Sequence, residues 1–97
     1  MARGYWVTTY RSVSNPTALA RYAERATPVI LRNGGRILAR GIPARCYEAA
    51  EAQRCVVIEF DSFDAAVAAY EDPAYQEIAV TLQGAAVREV RVMEGAA

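Results

Sequence analysis

No histidine and no lysine occur in the 97 residues. The first absence removes the commonest general base, the usual haem ligand and most zinc sites. The second removes Schiff-base chemistry, including pyridoxal phosphate carried on a lysine. All eleven basic residues are therefore arginine, and eleven acidic residues balance them to a formal net charge of +0. No overall field draws such a chain to nucleic acid or to an anionic membrane. Cysteine is scarce. Cys46 and Cys55 have no CxxC spacing and no histidine to complete a ligand set, so neither a metal site nor a cofactor is expected. They read as free thiols in a reducing compartment. No apolar run is long enough to cross a bilayer and no signal peptide is evident, so a cytoplasmic protein is expected.

What the chain does contain is 54% apolar residues, inflated by alanine, which is a globular composition. Its length suits one domain, residues 1–97, with a real but modest core. The densest β-branched run is Cys55-Val56-Val57-Ile58-Glu59-Phe60, which reads as a central strand. Tyr5 to Arg11 is rich in aromatic and β-branched residues and forms a first strand. Asn15-Pro16 opens a helix, with Asn15 as cap and Pro16 where its missing N–H costs nothing. Leu19, Tyr22, Ala23, Ala26 and Ile30 follow a helical period, Pro28 should kink or divide the helix, and Asn33-Gly34-Gly35 stops it. Arg36 to Ile42 forms a second strand, followed by a long connection of open conformation through Gln53. Asp61-Ser62 caps a helix from Phe63 to Tyr70, and Asp72-Pro73 caps another from Ala74 to about Leu82. Val87 to Glu94 is the last strand. The order is β-α-β-β-α-β, a ferredoxin-like α+β fold with strands one and three central in a four-stranded antiparallel sheet.

Alternation along the strands assigns faces. Val56, Ile58 and Phe60 are expected to meet the helices, as are Ile37, Ala39, Val90, Val92 and Val7. Cys55, Val57, Glu59, Arg36, Leu38, Arg40, Glu89, Arg91 and Met93 then lie on the second face. Trp6, Thr8 and Tyr10 are placed with them. A face so mixed marks an interface or a ligand cleft, and a homodimer closing two such sheets is the economical solution.

Several segments together resemble the bacterial domain-of-unknown-function family numbered 1330, in the dimeric α+β barrel superfamily. They are Tyr5-Trp6-Val7, Asn15-Pro16 with Tyr22, Gly34-Gly35-Arg36, Arg40-Gly41, Val57-Ile58-Glu59-Phe60, Asp72-Pro73-Ala74-Tyr75-Gln76 and Glu94-Gly95. The resemblance implies ferredoxin-like protomers whose sheets pair into a barrel with a cavity. Glu48-Ala49 and Leu82 depart from the family's tendency to carry glycine and arginine there. The superfamily includes cofactor-free monooxygenases, polyketide cyclases, haem-degrading enzymes and binding proteins, and fold does not choose among them.

Glu59 is the candidate catalytic acid or base: burial would raise its pKa, and Arg36 or Arg40 would lower it. Its alternative role is an ion pair that sets sheet register or joins the dimer. Arg36, Arg40 and Arg91 present donor forks for a carboxylate or phosphate, or else pair with Glu59 and Glu89. Trp6 and Tyr10 are the candidate walls for a planar ligand, with Tyr75 at the cavity mouth. The expected function is a small homodimer that binds an anionic or aromatic molecule and acts on it without metal, as a cyclase, isomerase or cofactor-free monooxygenase. The alternative is a non-catalytic binding or accessory module whose charges are structural.

Overall fold

In a computed structural model, residues 2–96 are described, in the order β1 (Gly4–Val13), α1 (Pro16–Arg32), β2 (Arg36–Gly41), β3 (Cys55–Phe60), α2 (Phe63–Glu71), α3 (Pro73–Ala79), a single 3₁₀ turn (Val80–Leu82) and β4 (Ala86–Glu94). The four strands form one sheet in the order β2-β3-β1-β4, all neighbours antiparallel. The expected ferredoxin-like topology is therefore observed, with β1 and β3 in the centre.

Local chemistry accounts for the element ends. The Asn15 side chain accepts from the Ala18 N–H, Ser62 from Ala65 and Asp72 from Ala74. Each satisfies an N–H that an opening helix leaves without a partner. Gly34, at φ +84°, takes the left-handed conformation that lets the chain leave α1. Of the two outcomes expected at Pro28, a kink or an end, the helix does not end there: α1 continues to Arg32. The donor it removes would have served the Glu24 carbonyl, and both residues lie on the exposed side of the helix, where water can satisfy that carbonyl. The connection between β2 and β3 contains no helix, and Glu48 there adopts φ +56°.

All the helices pack on one face of the sheet. The core joins Tyr22, Ala26 and Ile30 of α1 to Ile58 and Phe60 of β3, with Ala66 and Ala69 of α2 and Tyr75 and Ile78 of α3. Two expectations about faces are corrected. Trp6, Thr8 and Tyr10 point toward the helices, while Tyr5, Val7 and Thr9 point away; burial along β1 alternates accordingly. The register agrees, since Trp6 lies opposite Ile58 and Val92. The physical reason is volume: alanine-rich α2 leaves a deep layer beneath it, which the Trp6 ring fills. Trp6 is 2% exposed and donates its Nε1–H to the Ala66 carbonyl at 2.7 Å.

The second correction concerns β2. A bulge between Ile37 and Ala39 shifts the register, so Ala39 lies opposite Val57 and Arg40 opposite Val56. One extra residue exchanges the faces of everything after it. Ala39 therefore moves to the open face and Arg40 to the helix side. The assignments for β3 and β4 hold, with Val90 opposite Thr8 and Val92 opposite Trp6.

Candidate functional site

The helix side of the sheet should be uniformly apolar, and over most of its area it is. Between α1 and the middle of the sheet it is not. Thr8 and Tyr10 of β1 are both 4% exposed, and Arg54, Arg88 and Arg40 approach the same region. Together with Tyr22, Ala26 and Thr27 of α1 they border a small cavity of about 30 Å³. Trp6, Ile30 and Ile58 form its apolar side.

Strand parity positions these groups. Arg54 precedes β3 and shares the inward side with Val56, Ile58 and Phe60, while its backbone carbonyl accepts from the Tyr10 N–H at 3.0 Å. Arg88 lies opposite Tyr10 on β4, in line with Val90 and Val92. Its Nη1 donates to the Tyr22 hydroxyl and its Nη2 to the Tyr75 hydroxyl, each at 3.1 Å. Those two hydroxyls also hydrogen-bond to each other. The Arg88 guanidinium lies over the Tyr22 ring, 5.0 Å from its centroid, and 6.0 Å from the Tyr10 centroid. The Arg54 guanidinium lies 5.9 Å from the Tyr10 ring. Such placement gains from the ring quadrupole. Burial, reinforced by neighbouring Tyr75, pushes the Tyr22 hydroxyl far above the ordinary tyrosine value, so it stays protonated. Arg40 reaches Thr27 through a 3.4 Å contact from Nη1 to Oγ1. This arrangement supplies positive charge and hydroxyl donors around a small, partly open space.

The sheet divides the residues expected to form one site. Trp6, Tyr10 and Arg40 line the cavity, and Tyr75, buried rather than at a mouth, supports it through Tyr22 and Arg88. Glu59, Arg36 and Arg91 lie across the sheet on the open face. Glu59 accepts from the Tyr5 hydroxyl at 2.9 Å and from Arg36 Nε at 3.0 Å, with Arg3 Nε at 3.8 Å. The Tyr5 hydroxyl and then Arg36 hold its carboxyl below the usual glutamate range, because both bond to the charged form. At 18% side-chain exposure, and ionised, Glu59 is an anchor for Tyr5 and Arg36. Asp61 extends the cluster through Arg3 and Arg36. Arg91 meets Glu89 at 3.4 Å, beside the closer Arg11–Glu89 pair at 2.9 Å.

Thr8, Tyr22, Arg54 and Arg88 complete the cavity but were not among the expected site residues. Arg54 and Arg88 carry a signal in their spacing: each sits an even number of positions from a strand's inward valines. Two arginines on buried parity need a reason to be there.

No curated protein matches the chain. A solved structure of a protein of unknown function from Rhodopseudomonas palustris is 19% identical, covering 99% of this chain and 84% of that one, with a TM-score of 0.71. SnoaB, a cofactor-independent oxygenase from Streptomyces nogalater, is 15% identical over 100% of this chain and 96% of its own, with a TM-score of 0.68. A NIPSNAP family protein of unknown function from Agrobacterium tumefaciens is 17% identical, over 97% and 88%, with a TM-score of 0.62. At these identities the likeness is one of fold. Residues 3–96 match the family described as Domain of unknown function (DUF1330), and the chain belongs to that family.

Proposed function

We propose that this protein binds a small molecule in the cavity between α1 and the sheet, and that it works as a homodimer closed across the opposite face. The observation that carries the reading is a polar cavity set into a hydrophobic core, with Thr8 and Tyr10 buried beside three guanidinium groups. Polar groups converging on a concavity are the feature by which a binding site fixes its ligand. On the other side of the sheet no helix packs among the described residues, and Tyr5, Val7 and Val57 are only half-buried, with Met93 exposed beside them. A second copy would cover that face and enclose the Glu59–Arg36 pair, giving Glu59, Arg36 and Arg91 roles in assembly.

Within the cavity, the guanidinium and hydroxyl groups would stabilise negative charge developing on a ligand oxygen, such as a carbonyl becoming an enolate. Cyclisation, isomerisation and oxygenation without a cofactor all pass through charge of that kind. The fold shared with a cofactor-independent oxygenase is compatible with this reading. The alternative, binding without turnover, draws support from the lining itself, which offers no carboxylate to take a proton, and from Tyr22 being held protonated. Ala26→Leu, which places extra volume in the cavity wall, tests the reading. Titration with a mixture of small metabolites should shift the backbone amides of Thr8, Tyr10, Ala26 and Arg88 together in the wild type and not in the variant. Ala23→Leu serves as a second blocking variant if Ala26→Leu is poorly folded. Shifts that persist in a folded, blocked cavity would place the ligand elsewhere.

A further inference from the structure

Four of the eleven arginines, Arg21, Arg25, Arg32 and Arg45, are exposed to water, and the other seven fall into two groups. Arg3, Arg11, Arg36 and Arg91 each pair with Glu59, Asp61 or Glu89. Among the described residues, Arg40, Arg54 and Arg88 form no such pair, and these are the three that line the cavity. The lining includes no carboxylate. Three like charges around one small space repel one another, and the wall offsets them only by the faces of Tyr10 and Tyr22, with no counter-charge. Arg88 directs both terminal nitrogens to tyrosine hydroxyls. Arg54 has a buried Nε with no acceptor. Buried donors are nearly always satisfied, so one left over beside a cavity indicates what the cavity receives.

Resting on the cavity reading above, we infer that the ligand is a compact oxyanion, a small carboxylate or a phosphate-sized group, held by Arg54 and Arg40, with Arg88 fixed behind it by Tyr22 and Tyr75. Size decides against an aromatic ring. About 30 Å³ holds roughly two water centres, whereas an engineered cavity that takes benzene measures about 150 Å³. Charge decides against a neutral molecule, which could accept from Arg54 Nε but would leave the mutual repulsion unanswered. Arginine also suits a planar carboxylate by its two-pronged donor geometry.

The test is titration of the full-length protein, followed by backbone amide shifts, with acetate, oxalate, inorganic phosphate, benzoate and phenol at constant ionic strength. Acetate, oxalate or phosphate should move the Thr8, Tyr10 and Arg54 amides saturably. Affinity should fall tenfold or more in Arg54→Gln and in Arg40→Gln, and stay within twofold in Arg25→Gln, an exposed arginine of α1 outside the cavity. The carboxylates and phosphate separate the two possible head groups. Benzoate or phenol binding in the cavity while the compact anions do not would overturn the ligand class and leave the cavity reading intact. Anion binding unchanged in Arg54→Gln and Arg40→Gln would overturn the assignment of its donors. No response to any probe would overturn the inference, and the metabolite titration with the Ala26→Leu control would then report separately on whether the cavity binds at all.

Discussion

Trp6→Phe probes the feature from which the whole site follows, the orientation of β1. In the structure Trp6 packs against Phe60, Tyr70 and Tyr75 with ring centroids 5.2, 5.6 and 5.0 Å away. It also donates to the Ala66 carbonyl. Phenylalanine keeps part of the packing and loses the donor. The lost hydrogen bond is worth about 1 kcal/mol, since the helical carbonyl keeps its intrahelical partner. The smaller ring leaves unfilled space costing about another 1–2 kcal/mol. The expected destabilisation is therefore about 2–3 kcal/mol, tolerable for a domain whose total stability is of order 5–15 kcal/mol. Urea unfolding followed by far-UV circular dichroism, at one fixed protein concentration, should show a midpoint lower by roughly 1–2 M. Trp6 is the only tryptophan, so its fluorescence reports directly on the same point. Emission should be blue-shifted and scarcely quenched by iodide. A loss below about 0.5 kcal/mol, the range of an exposed position, together with efficient quenching, would refute the orientation of β1 and the cavity with it.

Two other predictions concern the open face. Glu59 has a folded-state pKa below its unfolded value, so its contribution to stability is complete above about pH 4.3 and is lost as the pH falls through the lower folded value. The wild-type melting temperature should therefore drop more steeply than that of Glu59→Gln on acidification from about pH 5 to pH 3; superimposable profiles would show that the Tyr5 and Arg36 bonds are not coupled to folding. Val57→Glu places a charge at the centre of the open face and should convert a dimer to a monomer at micromolar concentration, as read by sedimentation velocity. A wild-type monomer under the same conditions would contradict the proposed assembly.

Much of this architecture is legible in the residues because it rests on short-range energies. The caps at Asn15, Ser62 and Asp72, the stop at Gly34 and the inward sides of β3 and β4 all follow from neighbours a few positions apart. Cys55 to Phe60 declares itself a central strand by composition alone, and Glu59 within it declares that one face is not ordinary core. The partners of Glu59 were partly legible as well, since Arg36 was one of two candidates and the register selects it.

Tertiary structure decided which side of the sheet each candidate occupies. Both sets along β1 mix aromatic with polar or aliphatic residues, so alternation alone does not choose between them. The choice is made by the space beneath an alanine-rich helix and by a carbonyl sixty positions from Trp6. On β2 a single bulge carried Arg40 from one face to the other. The amino-acid sequence thus determined the elements, their order and the presence of charged residues within the strands, all set by local propensity and pattern. Packing volume and strand register, which depend on residues far apart in the chain, divided that charge into Glu59 with its arginines on one face and a carboxylate-free cavity on the other.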